Sequence, residues 1–182
     1  QLIEQDFELL ADKGVHLAHC PESNMKLASG FCPIEMLKKN GVNVAVGTDG
    51  AASNNNLDML EETRSAALLS KAVSADATSV NAFEALSMAT INGARLLGLD
   101  SKIGSLQKGK QADIIAVDLS GINFQPIHHP VSQLIYTTSG HQVSHTWIGG
   151  ELLYANNQLT QLDEPRLRAV VEEWRQKIEK VS

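Results

Sequence analysis

In the stretch NVAVGTDGAASNNNLDML, residues 43–60, an apolar run opens into a lone aspartate, Asp49, boxed by glycine, alanine and asparagine. The β-branched run Val42, Val44, Ala45 and Val46 suits a strand buried on both faces, as in a parallel sheet. Gly47 and Gly50 let the backbone turn around Thr48 and Asp49, so the carboxylate lies where a strand ends and a loop begins. In α/β barrels that C-terminal rim is where reactive groups gather. Two readings stand: a reactive carboxylate, or a turn aspartate bonded to its own backbone. A second short strand, VHLAHC (15–20), ends in His19 at the same rim. An isolated strand histidine can be structural or can line an active site, and His19 is a candidate for the second role. Ser23 and Asn24 in PESN can hold their loop through Asx-type bonds or point polar groups at a substrate. Cys20 is not expected to join His19 on a metal, because neighbours on a strand face opposite sides. His128 and His129 lie between prolines in a surface-type connection. His141 and His145 have helical spacing, yet their surroundings alternate as a strand, which separates them by about 13 Å and makes no metal pair.

The elements around these residues alternate. QLIEQDFELLADKG carries a helical apolar pattern at Leu2, Ile3, Phe7, Leu9 and Leu10, closed by Gly14. That pattern is already under way at residue 2 without a capping residue, so the chain is expected to be the C-terminal portion of a longer polypeptide. PESNMKLASGFCP is expected as a loop and IEMLKKNG as a short helix closed by Gly41. Helix, strand, loop, helix, strand, loop, helix is the rhythm of a parallel sheet covered by helices. Two strands do not make a stable parallel sheet, so partners are expected upstream. Ser53 to Asn56 and Asp58 are expected to cap the helix LDMLEETRSAALL, and SVNAFEALSMATINGARLLGL adds one or two helices ending near Gly98.

From about residue 102 the texture changes to a small β unit. A β-type run covers Asp113 to Leu119, and QVSHTWIGGELLYANNQLT reads as a hairpin around Gly149 and Gly150 with a second turn at Asn156 and Asn157. The tail is an amphipathic helix with Asp163 as cap, Pro165 in its first turn, and Leu167, Val170, Val171, Trp174, Ile178 and Val181 on one stripe. Packing of that stripe on the rest of the protein is the expectation.

The sequence is 43% hydrophobic and 20% charged, ordinary for a globular protein, with a net charge of -6. No Lys/Arg cluster stands out, so neither a nucleic acid nor an anionic membrane is an expected partner. No stretch approaches the ~20 apolar residues of a membrane span, and a cytoplasmic location is the default. Cys20 and Cys32 match no metal or redox spacing and are expected as reduced thiols, Cys32 in the core.

Three stretches in this order, HCPESNMKLASG, VAVGTDGAASNNNLDML and ATINGARLLGLDSKIGSLQKGKQADIIAVDL, resemble the amidohydrolase superfamily, in particular its methylthioadenosine/S-adenosylhomocysteine deaminases and the related triazine and chloro-hydrolases. The resemblance runs from Gln1 to about Asn157 and implies an α/β fold. Residues 1–101 would be the last part of a metal-dependent-hydrolase (β/α)8 barrel, with VHLAHC and VAVGTD as strands 7 and 8. Residues 102–160 would be part of a composite β-sandwich, and 161–182 a C-terminal helix.

Asp49 matches the family's metal aspartate at the end of strand 8, and the resemblance implies that it is a metal ligand and catalytic residue. The family's other ligands, a His-x-His pair after strand 1 and a histidine after strand 5 in a His-x-x-Glu pattern, are implied upstream of Gln1, as is a further histidine ending strand 6. His19 is not one of the metal ligands; with Ser23 and Asn24 it is a candidate substrate-binding residue. The implied cofactor is a divalent metal, Zn2+ with Fe2+ as the alternative, which lowers the pKa of bound water from 15.7 toward ~7. Attack at C6 of an adenine ring and departure of ammonia would follow.

The implied partners are a small-molecule heterocyclic amine or nucleoside and the rest of the barrel, supplied upstream or by a second chain; a homo-oligomer is also open. The chain alone is expected to be inactive. Two alternatives stay open: an s-triazine or chloro-heterocycle hydrolase of the same superfamily, and a non-catalytic fragment that serves packing or association.

Overall fold

The computed structural model describes residues 2–180; Val181, the last member of the expected C-terminal stripe, lies outside the described residues. Helix α1 (Glu4–Asp12) begins two residues later than its apolar pattern, because Ile3 is extended and its N–H donates to the Asp6 carboxylate at 2.8 Å. Strand β1 (His16–His19) leads directly into α2 (Pro21–Lys26). The loop expected over 21–33 is therefore helical in its first half. Proline at the first helical position gives up an N–H that a helix start leaves unbonded anyway, and Glu22 and Lys26 complement the helix dipole at their respective ends.

Helix α3 (Ile34–Lys39) and strand β2 (Asn43–Val46) follow as the sequence pattern places them. The segment after β2 forms two helices, α4 (Ala51–Asn54) and α5 (Met59–Ser74). Asp58 caps α5 by accepting from the N–H groups of Leu60 and Glu61, whereas Ser53 and Asn54 lie inside α4 and do not cap α5. Helices α6 (Ala82–Met88) and α7 (Ile91–Leu96) complete this part.

Strands β1 and β2 pair in parallel, with Leu17 opposite Val44 and His19 opposite Val46. Phe7, Ile34, Leu37, Val44, Val46, Ala66, Ala67, Ala85 and Met88 bury together around them, and Leu17 and Cys32 pack on this core while remaining half-buried. Asn92 of α7 donates to the Val44 carbonyl at 3.0 Å and its own carbonyl accepts from the Asn43 side chain at 3.0 Å, which ties α7 to β2. Gly104, at a φ of +84°, passes so close to α7 that a Cβ there would stand 2.6 Å from the Ala94 Cβ.

The second part is a four-stranded antiparallel sheet of β3 (Ile114–Val117), β4 (Val143–Ile148), β5 (Glu151–Ala155) and β6 (Gln158–Leu159), in that order. Gly149 and Gly150 turn β4 into β5, and Asn156 and Asn157 both adopt left-handed φ at the next turn, as a type I′ hairpin requires. Between β3 and β4 lies a helix the prolines concealed, α8 (Pro130–Thr137). Its cap is His129, whose Nδ1 accepts the Ser132 N–H at 3.1 Å, with Pro130 at the first helical position. His141 falls in a 3-10 turn (Gly140–Gln142) and not on the strand that its surroundings suggested; His145 is on β4, its ring stacked on Trp147.

Helix α9 (Glu164–Glu179) is capped by Asp163 as expected. Against the expected packing, the described members of its apolar stripe, Leu167, Val170, Val171, Trp174 and Ile178, are all exposed, Trp174 by 58%. Among the described residues no helix is long and apolar enough to cross a membrane.

Candidate active site

Beyond the last residue of β2 the ladder extends one step, with the Gly47 N–H donating to the His19 carbonyl at 2.9 Å. Asp49 then takes a φ of 62°, a left-handed conformation that aspartate enters more readily than most residues. The carboxylate stands exposed between the starts of α2 and α4.

Three donors hold it. Ser23 Oγ of α2 donates to Oδ2 at 2.8 Å, and the Gly50 N–H donates to Oδ1 at 2.8 Å. Ser53 Oγ of α4 lies 3.1 Å from Oδ2 and 3.2 Å from the Gly50 carbonyl, so its single proton is shared between two acceptors. Ser23 most strongly, then Gly50 and Ser53, hold the Asp49 carboxyl below the usual carboxylate range, and the group is anionic at neutral pH. With two lone pairs per oxygen, the two hydroxyls engage both on Oδ2, while Oδ1 keeps one free. The turn bond and an available ligand position thus coexist on one side chain. Ser53, placed by the sequence among the caps of the following helix, bears on Asp49 instead.

The other candidates separate. Ser23 is almost fully buried and bonded to Asp49. Asn24 is half-buried and its side chain makes no hydrogen bond among the described residues. His19 is only 2% exposed, and neither ring nitrogen has a hydrogen-bond partner. Burial lowers its pKa to about 4, so the imidazole is neutral. Strand alternation puts it on the face of Leu17, which packs on the core. No hydrogen bond joins His19 to Asp49. Burial, then the Asp49 and Glu62 carboxylates, raise the Cys20 pKa.

Behind the site lies a residue the sequence left unmarked. Glu62 of α5 is fully buried; its Oε1 accepts the Glu22 N–H at 3.1 Å and its Oε2 accepts from the Asn54 side chain at 2.8 Å. Burial, more than the nearby Glu22, pushes the Glu62 carboxyl up to about 7. A separate cleft of about 880 Å3 between α5, α8 and the antiparallel sheet, lined by Leu57, Leu86, Ile115, Val117, Leu134 and Val143 among others, includes none of these site residues.

Among the described residues no three His, Cys, Asp or Glu side chains converge as a metal site. What this chain offers a metal is one hard oxygen donor: an anionic, exposed, pre-aimed carboxylate with a free lone pair. That fits one ligand of a zinc site.

The amidohydrolase family model matches residues 2–153. The chain belongs to the amidohydrolase family. Within it, the chain is 52% identical over 178 residues to a 5-methylthioadenosine/S-adenosylhomocysteine deaminase of Teredinibacter turnerae, covering 98% of this chain and 40% of the relative. Among solved structures, it is similar to an adenosine deaminase of Xanthomonas campestris with bound zinc, at TM-score 0.95 and 50% identity over 99% of this chain and 41% of that one. An atrazine chlorohydrolase of Arthrobacter aurescens complexed with zinc matches at TM-score 0.84 and 30% identity, over 95% of this chain and 38% of that one. The chain thus spans about two-fifths of the length of these amidohydrolase relatives.

Proposed function

We propose that this chain is the C-terminal part of a metal-dependent aminohydrolase that removes ammonia from the adenine ring of a nucleoside of the 5'-methylthioadenosine/S-adenosylhomocysteine type. The observation that carries the reading is Asp49: an anionic carboxylate at a parallel strand end, clamped on Oδ2 and open on Oδ1. The deaminase-named relatives, at 52% and 50% identity against 30% for the chlorohydrolase, favour an amine over a chloride leaving group. In this reading β1 and β2 are the last two strands of a (β/α)8 barrel and the antiparallel sheet is part of its β-sandwich.

Asp49 would hold a divalent metal, zinc being the ion named for the similar structures, together with histidines from the rest of the barrel. When bound, the metal supplies Lewis acidity that makes water reactive near neutral pH. The residues of this chain do the rest. Ser23 and Ser53 fix the rotation of the Asp49 carboxylate and keep it ionised, so that the free lone pair on Oδ1 is aimed to accept a proton and return it. In this reading Asn24 offers an uncommitted amide to the substrate, whereas His19, a neutral ring buried on the core face of β1, serves packing.

The test is Asp49→Asn in the complete protein, assayed for ammonia release from methylthioadenosine at saturating zinc. A loss of about 10²-fold or more in kcat with the fold intact is expected. Activity within a few-fold of wild type would reduce Asp49 to a turn residue and remove the proposal.

A further inference from the structure

The two helices that carry the Asp49 clamps are themselves held by one side chain. Residue 23 bonds Asp49 while residue 22 bonds Glu62; residue 53 bonds Asp49 while residue 54 bonds Glu62. Both α2 and α4 are therefore fastened at adjacent residues to two carboxylates, an exposed one in front and a buried one behind. We infer that Glu62 is a positioning residue for Asp49: by accepting the Glu22 N–H and the Asn54 amide, it fixes where Ser23 and Ser53 stand and hence how the Asp49 carboxylate is aimed.

Chemistry at each end supports the assignment. Glu62 is a charged residue type, buried completely, with no cation bonded to it among the described residues, and each of its oxygens accepts a donor, one from α2 and one from α4. Asn54 cannot turn its amide to accommodate a different partner, because its Oδ1 already accepts the Leu57 N–H at 2.7 Å. Glu22 is held in turn by Ser65 Oγ at 2.8 Å, from the same helix as Glu62. The arrangement therefore demands an acceptor at both Glu62 oxygens, and helix α5 is the rigid element that supplies it. Support of this kind behind a ligating carboxylate typically changes metal affinity or activity by 10–100-fold when removed.

The inference rests on the reading of Asp49 given above, and the experiment separates the two. In the complete protein at about pH 8, above the Glu62 pKa of about 7, E62Q places an amide N–H against one of the two donors, the Asn54 amide or the Glu22 N–H. The double variant E62Q/N54D reverses the polarity of the bond between residues 54 and 62 and restores every partner, the carboxylate introduced on α4 accepting both from the amide introduced on α5 and from the Leu57 N–H. For E62Q we expect kcat lowered about 10-fold or more, KM changed less than about 3-fold, and zinc affinity measured by chelator competition weakened about 10-fold. E62Q/N54D should return all three to within about 3-fold of wild type. S23A and S53A, which remove the clamps directly, should show the same signature with Glu62 in place.

D49N serves as the control on the functional reading: if it keeps activity, the reading of Asp49 fails first. If D49N is inactive but E62Q matches wild type in kcat and zinc affinity, the positioning role is overturned. A folded double variant no better than E62Q overturns it as well. Should E62Q not reach a folded state, the serine variants decide: if both are silent, there is no clamp for Glu62 to hold.

Discussion

Asp58 and Gly140 join the two parts of the fold through one carboxylate: Asp58 Oδ2 accepts the Gly140 N–H at 2.6 Å, and Oδ1 accepts the Leu60 N–H at 2.9 Å at the start of α5. Asp58→Ala removes a helix cap worth about 0.5–2 kcal/mol and a charge-assisted bond worth about 1.5–3 kcal/mol. Asp58→Asn can keep the cap through its remaining oxygen but offers no acceptor to Gly140. Calorimetry should rank the melting temperatures wild type, then Asn, then Ala. An Asn variant as stable as wild type would show that the Gly140 bond contributes nothing.

The buried imidazole of His19 makes a pH prediction. Its folded pKa lies at about 4 and its unfolded value near 6.5. Between those values the unfolded chain binds a proton that the folded chain does not, so the free energy of unfolding falls as pH drops from about 6.5 to about 4. Urea midpoints taken across that range should decline, and His19→Leu should flatten the decline, since leucine neither titrates nor leaves a buried nitrogen without a partner. An unchanged slope in the variant would assign the effect to another group.

Gly104 combines a left-handed φ with a close approach to α7, so Gly104→Ala meets two obstacles at once. The new methyl would collide with Ala94, and the backbone would leave its favoured region. A destabilisation of about 1–3 kcal/mol in chemical denaturation is expected. A stabilised variant, as chain-entropy arguments give for compatible glycines, would mean that the segment relaxes away from α7.

Two apolar truncations should differ sharply. Leu37 is fully buried in the core, and Leu37→Ala should cost about 2–5 kcal/mol. Trp174 removes more surface when replaced by alanine but is mostly exposed on α9, and a change within about 0.5 kcal/mol is expected from this structure. If Trp174→Ala in the complete protein costs as much as Leu37→Ala, the stripe packs against residues beyond this chain.

What could be read from the sequence was what local chemistry decides. The short runs before Cys20 and Gly47 became β1 and β2, the Gly149–Gly150 and Asn156–Asn157 pairs turned the strands, and Asp163 capped α9. Asp49 was visible because a polar group follows an apolar run between glycines.

What escaped depended on partners far along the chain or on prolines with two meanings. Pro21 and Pro130 mark loops in isolation, yet each occupies the first turn of a helix. The stripe on α9 was legible as apolar but not as uncovered, since periodicity says which face is greasy and not what meets it. Glu62 went unmarked beside Glu61. The signal was its helical spacing from Ala66 and Ser70, which put a carboxylate on the buried face of α5, where only distant donors from α2 and α4 could satisfy it.

The left-handed backbone at Asp49 also governs which replacements are truly conservative. Glutamate preserves the charge yet gives up the short side chain that lets aspartate settle at positive φ and fold back onto the next amide. Asparagine preserves the bend and gives up the charge. At this position the geometry of the chain and the chemistry of the headgroup are two separate filters, and among the common side chains aspartate passes both.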